Sequence, residues 1–383
     1  MGSLAALNPK EPTPPVNPPE DKPELPEDKP TPPENNPTPP NIPNAGTPIY
    51  SQVVSGYIQM PKANIDLAYN TLRTLHERKG ENQILTWEHF KKSQKVADGQ
   101  VWVRLLGNRA LDYGKHRFNM ETKNKGIQLG KEFSITRDDE GKHILKGAYL
   151  SYQESRLSFK DRYRAENAVV VDDKYTGSGK TKAFSLGLTR TSYTQEGEYL
   201  DLVGQLTLLN NKYYSRDNTS AKSKAWGIAL SAEYGKPYEF NKNMEENTSW
   251  LFEPQVQLIY QYMHFGSFYD GYRNIKQDAH HNLKGRLGFR LAYNDYEVKE
   301  RKASVTWYGL GNIWHNFTNR YETKIGQDII SEKYARTLGE LGMGVQIPVA
   351  EKSYLYADFR YARAFGKVKF KEYRGSVGLR YTF

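Results

Sequence analysis

Three groups of residues in this 383-residue chain have the types that chemistry requires. Gly177-Ser178-Gly179-Lys180-Thr181 ends like a phosphate-cradling loop, in which backbone N–H groups and a lysine hold a nucleotide's phosphates. That pattern needs a glycine five residues before Gly179, but position 174 is Lys174. It must also open a helix, and the residues that follow alternate like a strand. His280 and His281 offer two imidazoles to a metal, without a clear third ligand. His264, Asp270, His280 and His315 are the acid/base types a hydrolase at a barrel rim would use, but no nucleophile motif accompanies them. No catalytic centre, cofactor or metal site is expected. The basic residues interleaved with tyrosines are spread along strands and form no single nucleic-acid-binding patch. What remains is charge pairing, and its meaning depends on the elements that carry the charges.

From Gln100 to the last residue, apolar side chains recur at every second position. Twelve segments of about ten residues or more do this, from "QVWVRLLG" through "YLDLVGQLTLLNNKYY" to "YRGSVGLRYTF". Ten residues is the length of a tilted transmembrane strand, and only one face of it needs to be apolar. A mean hydropathy of −0.79 is therefore compatible with a membrane protein, although no run of eighteen apolar residues offers a transmembrane helix. The 28 tyrosines and 15 phenylalanines argue against disorder. Connections are tight between segments 2 and 3, 4 and 5, and 10 and 11, and are expected to be long and hydrophilic after segments 3, 5, 7 and 9. Those between 6 and 7 and between 8 and 9 are longer than this scheme wants, and that between 11 and 12 is shorter. The expected fold is an all-β membrane protein: a 12-stranded antiparallel transmembrane β-barrel with an N-terminal α-helix inside the pore, both barrel ends in the periplasm. Closure requires the last strand to pair with the first. Val377, Leu379, Tyr381 and Phe383 then face lipid, and Ser376, Gly378 and Arg380 face the lumen.

Residues 1–49 are different in kind. They hold 16 of the 20 prolines and 7 acidic against 3 basic residues, and read as a stiff spacer able to reach about 100 Å. No secretory leader is legible at Met1–Leu7, and the chain is expected to be a piece of something longer. Residues 50–99 hold the pore helix and its connection. The helix is expected over Asn64–Lys79, with Pro61 near its first turn, Gly80 as its stop and polar residues on all sides. Twelve strands about 4.8 Å apart at a tilt near 40° enclose a backbone cylinder about 24 Å wide, leaving room for one helix. Strand parity puts Arg104, Arg286, Arg290, Arg360, Arg380, Glu340 and Gln346 inside. Asp66, Asn70, Arg73, Glu77 and Arg78 are their expected partners on the helix, with Glu77 meeting one of the arginines. A basic lumen would also help a net-negative, unfolded segment to enter.

A proline-rich spacer, a helix containing "LHER" and "GE" at Leu75–Glu81, "W.R" at Trp102–Arg104 and a twelve-stranded barrel ending in Phe383 together resemble the translocator domain of type Va autotransporters. These are self-secreting outer-membrane proteins of Gram-negative bacteria. The order of parts covers nearly the whole chain and carries the resemblance. It implies a non-enzymatic, monomeric translocator in the bacterial outer membrane that exports and anchors its own N-terminal passenger, with the helix left in the pore. It also implies partners: the lipid bilayer, periplasmic chaperones and the barrel-assembly machinery, for which Val377, Leu379, Tyr381 and Phe383 resemble the recognition signal. A diffusion porin or a rim hydrolase is the alternative. One subgroup cleaves the helix beside an asparagine pair. Here Asn35-Asn36 lies in the spacer and neither Asn64 nor Asn70 has an asparagine neighbour, so no cleavage inside the barrel is expected.

Overall fold

A strand that is apolar at every second position needs a different medium on each face. Twelve such strands meet that need by closing on themselves. The computed structural model describes residues 47–81, 95–97, 99–243, 248–295, 305–350 and 352–383. The barrel strands are β1 Gln100–Tyr113, β2 Phe118–Arg137, β3 His143–Asp161, β4 Tyr175–Tyr193, β5 Tyr199–Ser215 and β6 Ser220–Gly235. They continue as β7 Thr248–Phe265, β8 His280–Asp295, β9 Val305–Asn316, β10 Thr337–Ala350, β11 Ser353–Ala364 and β12 Phe370–Thr382. Each runs antiparallel to the next, and β12 returns to β1 in register from Gln100↔Thr382 to Asp112↔Phe370. The chain divides into residues 1–40 and 41–383, and the first unit lies outside the described residues. So does Asn35-Asn36.

The burial is inverted relative to a soluble protein. Along β6 exposed and buried positions alternate without a break: Trp226, Ile228 and Leu230 point out, and Ser223, Ser231 and Glu233 point in. Elsewhere Leu150, Phe184, Leu188 and Leu258 are exposed, while Arg104, Gln153, Gln205 and Gln257 are buried. This is the pattern of a lipid-facing wall around a polar interior. In β12, Val377, Leu379 and Tyr381 are 48%, 41% and 45% exposed, and Ser376 and Arg380 are buried. The end does not fray: Phe383 N–H donates to Gly99 O at 3.0 Å, and Gly99 N–H donates to Phe383 O at 3.3 Å. Inside, an aromatic ring can lie flat over a glycine of the next strand. Tyr356 covers Gly378 so closely that a Cβ there would sit 2.1 Å from its Cζ.

One end of the barrel has short turns at 138–142 and 194–198 and a short connection from Ala350 to Ser353. The other has long connections at 162–174, 266–279 and 317–336. The expected long loop after the fifth segment is only a turn at 216–219. β5 and β6 keep pairing as far as Tyr214↔Ser220. After the sixth segment, Tyr238–Asn243 folds back onto β7. The connection between the eighth and ninth segments lies outside the described residues. Two of the long inserts build a small sheet from Phe268–Tyr269, Asn274–Gln277, Arg320–Ile325 and Asp328–Lys333. Its Ile275, Ile325 and Ile330 share an apolar cluster with Val53, Tyr57, Met60 and Phe159, so the sheet packs onto the helix at the mouth. Glu332 ties it down by accepting the N–H groups of His116, Arg117 and Phe118 at 2.8, 2.9 and 2.9 Å.

The helix differs from expectation. It is α1 Val53–Leu72 followed by a short α2 Leu75–Lys79, so it starts eleven residues early and breaks where it was expected to continue. Pro61 lies inside α1, where it has no N–H to give the carbonyl of residue 57. The inserts supply the donors instead: Gln277 Nε2 reaches Tyr57 O at 2.7 Å and Thr323 Oγ1 reaches it at 3.2 Å. Both come from the mouth sheet. At the other end, Gly80 closes α2 with φ 71°, as expected of a stop.

Candidate functional site

The twenty residues of α1 span about 30 Å. All except Asp66 are buried, although polar residues occur on every side of the helix. Only a surrounding wall explains that, and an enclosed helix must find a partner for each polar group or lose about 1–3 kcal/mol apiece. The backbone shows how the wall answers. The last four carbonyls of a helix lack internal partners. Here Tyr69 O takes Arg73 N–H at 3.3 Å, and Arg104 Nη2 donates to Asn70 O at 3.2 Å. Gln128 Nε2 donates to Thr71 O at 3.1 Å, and Arg78 Nη1 to Leu72 O at 2.9 Å.

Wall glutamines continue the scheme along the chain. Gln261 donates to Ile65 O at 3.3 Å, Gln153 to Leu67 O at 2.9 Å, Gln205 to Ala68 O at 2.9 Å and Gln257 to Arg73 O at 2.8 Å. Beyond the break, Arg104 Nη1 meets Glu77 O at 3.0 Å, Tyr356 Oη meets Arg78 O at 2.9 Å and Arg380 Nη1 meets Lys79 O at 3.1 Å. Gln346 accepts Glu81 N–H at 2.7 Å. The break itself sits at Arg73, with φ 33°, and Thr74 Oγ1 caps α2 by accepting Glu77 N–H at 3.4 Å.

Side-chain charges are matched around the same segment. Glu77 lies 2.8 Å from Arg374 Nε, 3.4 Å from Arg360 Nη1 and 3.9 Å from Arg104 Nη1. Glu340 bridges Arg374 at 2.7 Å and Arg360 at 3.4 Å, and Asp358 holds Arg360 at 2.8 Å. Arg73 pairs with Glu372 at 3.0 Å, and Arg78 with Asp201 at 2.6 Å. Lys79 pairs with Glu132. Arg290 spans Glu253 and Glu81, each at 2.7 Å, and His76 Nε2 meets Glu253 at 2.8 Å. Arg286 is inside as well, but it serves the wall, meeting Glu233 at 2.9 Å. Asn70 bonds to Asn108 at 3.1 Å.

Asp66 does not reach a wall arginine. Its partner is Lys62, one turn back on α1. The reason is lateral placement: α1 packs chiefly against β2–β5, and a polar void lined by Asp66, Asn108, Asp112, Lys284 and Glu372 remains on the other side. Sequence reasoning also missed Arg374, although it has the parity of Arg380, and the acids Glu132, Asp201, Glu233, Glu253, Asp358 and Glu372. Strand parity would have put all seven inside. Which arginine each acid meets depends on barrel stagger and helix azimuth, and neither is written locally in the chain.

The residues considered for catalysis have separate neighbours. His264 is exposed on the outer wall beside Trp226. Asp270 accepts Tyr57 Oη–H at 3.0 Å, His280 stacks on Tyr321, and His315 bonds to Thr337. Among the described residues no group of three His, Cys, Asp or Glu could hold a metal. Gly177–Thr181 lies within β4 and opens no helix.

Residues 101–360 match the family model described as the autotransporter beta-domain. The uncharacterized protein YdeU of Escherichia coli K12 is 22% identical over 354 residues, covering 88% of this chain and 71% of that protein. The serine protease EspC of E. coli O127:H6 is 26% identical over 262 residues, covering 65% of this chain and 18% of EspC. Among solved structures, the transport unit of the E. coli autotransporter AIDA-I superposes with a TM-score of 0.68 at 16% identity, covering 88% of this chain and all of that one. The translocator domain of NalP from Neisseria meningitidis superposes with a TM-score of 0.53 at 11% identity, covering 85% and 99%. The chain thus spans most of one relative and under a fifth of the other.

Proposed function

This chain belongs to the autotransporter β-domain family, and on that premise we propose that it carries an N-terminal passenger across the outer membrane and holds it there. One observation supports this most directly. The polypeptide threads the lumen from the long-insert end, where Pro48 O accepts from Arg117, to the short-turn end, where Lys79 O accepts from Arg380. Pro48 therefore lies at the end opposite the barrel's C-terminus, and in a porin or a rim hydrolase the segment that threads the lumen from it has no task.

In this reading residues 1–49 are the spacer, 50–99 the pore helix and its connection, and 100–383 the barrel. The short-turn end faces the periplasm and the spacer reaches the cell surface. Val377, Leu379, Tyr381 and Phe383 present the assembly signal to the barrel-assembly machinery, periplasmic chaperones escort the unfolded chain, and the barrel works as a monomer without catalysis of its own. The luminal pairs at Glu77, Arg73 and Arg78 seat the helix once transport is over.

Surface access tests the proposal. A signal peptide, an epitope and a protease site are placed before Asn8, the protein is expressed in a Gram-negative host, and protease is added to intact cells. Loss of the epitope is expected. An epitope protected until the outer membrane is permeabilised, on a folded barrel, would replace the translocator with a porin or rim hydrolase.

A further inference from the structure

The outward face of β1–β6 carries a feature the transport reading does not use. Strand register places Arg109 opposite Lys123, Lys123 opposite Arg156, Arg156 opposite Lys180, Lys180 opposite Lys212 and Lys212 opposite Lys222. Six cations thus stand side by side across six strands, all pointing away from the lumen. Two residues nearer the barrel middle, Lys125, Lys182 and Lys224 repeat the sign. Only two carboxylates on these strands answer them. Glu121 is shared by Arg109 at 2.8 Å and Lys123 at 3.4 Å, and Glu154 by Lys180 at 3.7 Å and Lys182 at 3.9 Å.

Like charges directly opposite each other on a sheet repel. Lining them up on six adjacent strands costs stability that a strongly anionic partner would offset. The location says which kind. On the same strands, the next outward positions toward the barrel middle are Ile127, Tyr152, Phe184, Leu208 and Trp226, where the apolar belt begins. The outward positions at the same end of β7, β8 and β9 are His264, His281 and His315. Arg363 on β11 and Lys371 on β12 face each other at that end, so the cations run in a band from β11 round to β6 and give way to histidines on β7–β9, directly above the lipid-facing wall and at the long-insert end.

We propose that this flank binds the phosphorylated headgroup of an outer-leaflet glycolipid whose acyl chains lie on the apolar belt below. The centre of the site is the block on β2–β4: Lys123, Arg156 and Lys180 in one row, Lys125 and Lys182 in the next. Cross-strand neighbours there are about 5 Å apart, so adjacent pairs can share phosphate oxygens, with Arg156 placed for bidentate contact. A free phosphate would satisfy the cations but would leave the alignment with the apolar belt without a role.

The site rests on the orientation proposed above, in which the long-insert end faces outward. The binding assay uses purified protein and does not depend on that orientation, so either idea can fail alone. The full chain in detergent is titrated with bisphosphorylated lipid A, with lipid A stripped of its phosphates, and with inorganic phosphate as competitor, and bound lipid is counted by native mass spectrometry. The expected result is saturable binding of bisphosphorylated lipid A that falls at least about tenfold when the phosphates are removed. A similar fall is expected in Lys123→Gln/Arg156→Gln/Lys180→Gln/Lys182→Gln, and a smaller one in Arg156→Gln alone, which keeps the fold safe. Lys131→Gln/Lys146→Gln/Arg190→Gln, at the short-turn end, serves as the control and retains binding. Equal binding by the quadruple variant, or by dephosphorylated lipid, overturns the proposal. Full displacement by millimolar phosphate would reduce the site to one for a simple anion.

Discussion

Three arginines of the wall converge on Glu77: Arg374, Arg360 and Arg104. Removing its charge leaves cations buried against one another, which costs more than the lost contact itself. Glu77→Gln is expected to destabilise the folded barrel by about 3 kcal/mol, read from urea titrations in detergent. In that background Arg374→Gln is expected to cost less than it does alone, because it removes a surplus cation. Simple additivity of the two would mean that they do not act as a pair. Gly378 makes a different demand. With Tyr356 lying over it, Gly378→Val forces the ring aside and is expected to cost about 1–3 kcal/mol. The folded fraction in heat-modifiability gels should fall, and Gly378→Ala should lie between the variant and the parent.

α1 is held by its surroundings more than by its own preferences. Pro61 inside a free helix costs about 3 kcal/mol, so Pro61→Ala should ordinarily stabilise by that much. Here the restored N–H would compete with Gln277 and Thr323 for Tyr57 O. The expected gain is therefore under about 1 kcal/mol by the same urea titration, and a gain near the full value would show that the mouth-sheet donors contribute little. The same fact explains what was legible. Pro61 reads locally as a helix-start signal, which is why the expected beginning falls too late; the mouth sheet overrides it. Gly80 was readable because a glycine with positive φ ends a helix whatever surrounds it. The strands were readable for the opposite reason: lipid on one side and polar groups on the other force period two on every strand, so the pattern is imposed locally. Arg374 has that parity and could have been found. Its pairing with Glu77, nearly three hundred residues away in the chain, depends on the register of closure.

At the scale of the molecule, the barrel and its contents support one another. The lumen is wide enough for one helix and α1 occupies it off-centre, leaving a polar void toward Lys284 and Asp112. Deleting Val53–Lys79 is expected to leave a barrel that still closes through β1 and β12, with a several-fold larger single-channel conductance in planar bilayers. Unchanged conductance would mean that the inserts at the mouth close the pore without the helix. The twelve strands, their inside-out alternation and the closing role of the last one were all present in the order of residues. The mouth sheet was not, because its short strands come from two inserts some forty residues apart and its apolar residues pair only in space.

The glutamines of the wall have one further consequence. Gln128, Gln153, Gln205, Gln257 and Gln261 each grip a carbonyl of the threaded segment, and a carbonyl is the same on every residue. A substitution in α1 that keeps the backbone path leaves those grips intact, and what it must still satisfy is the fit of its side chain in the enclosed lumen. The five amides thus read the path of the chain and are indifferent to which residue supplies the carbonyl.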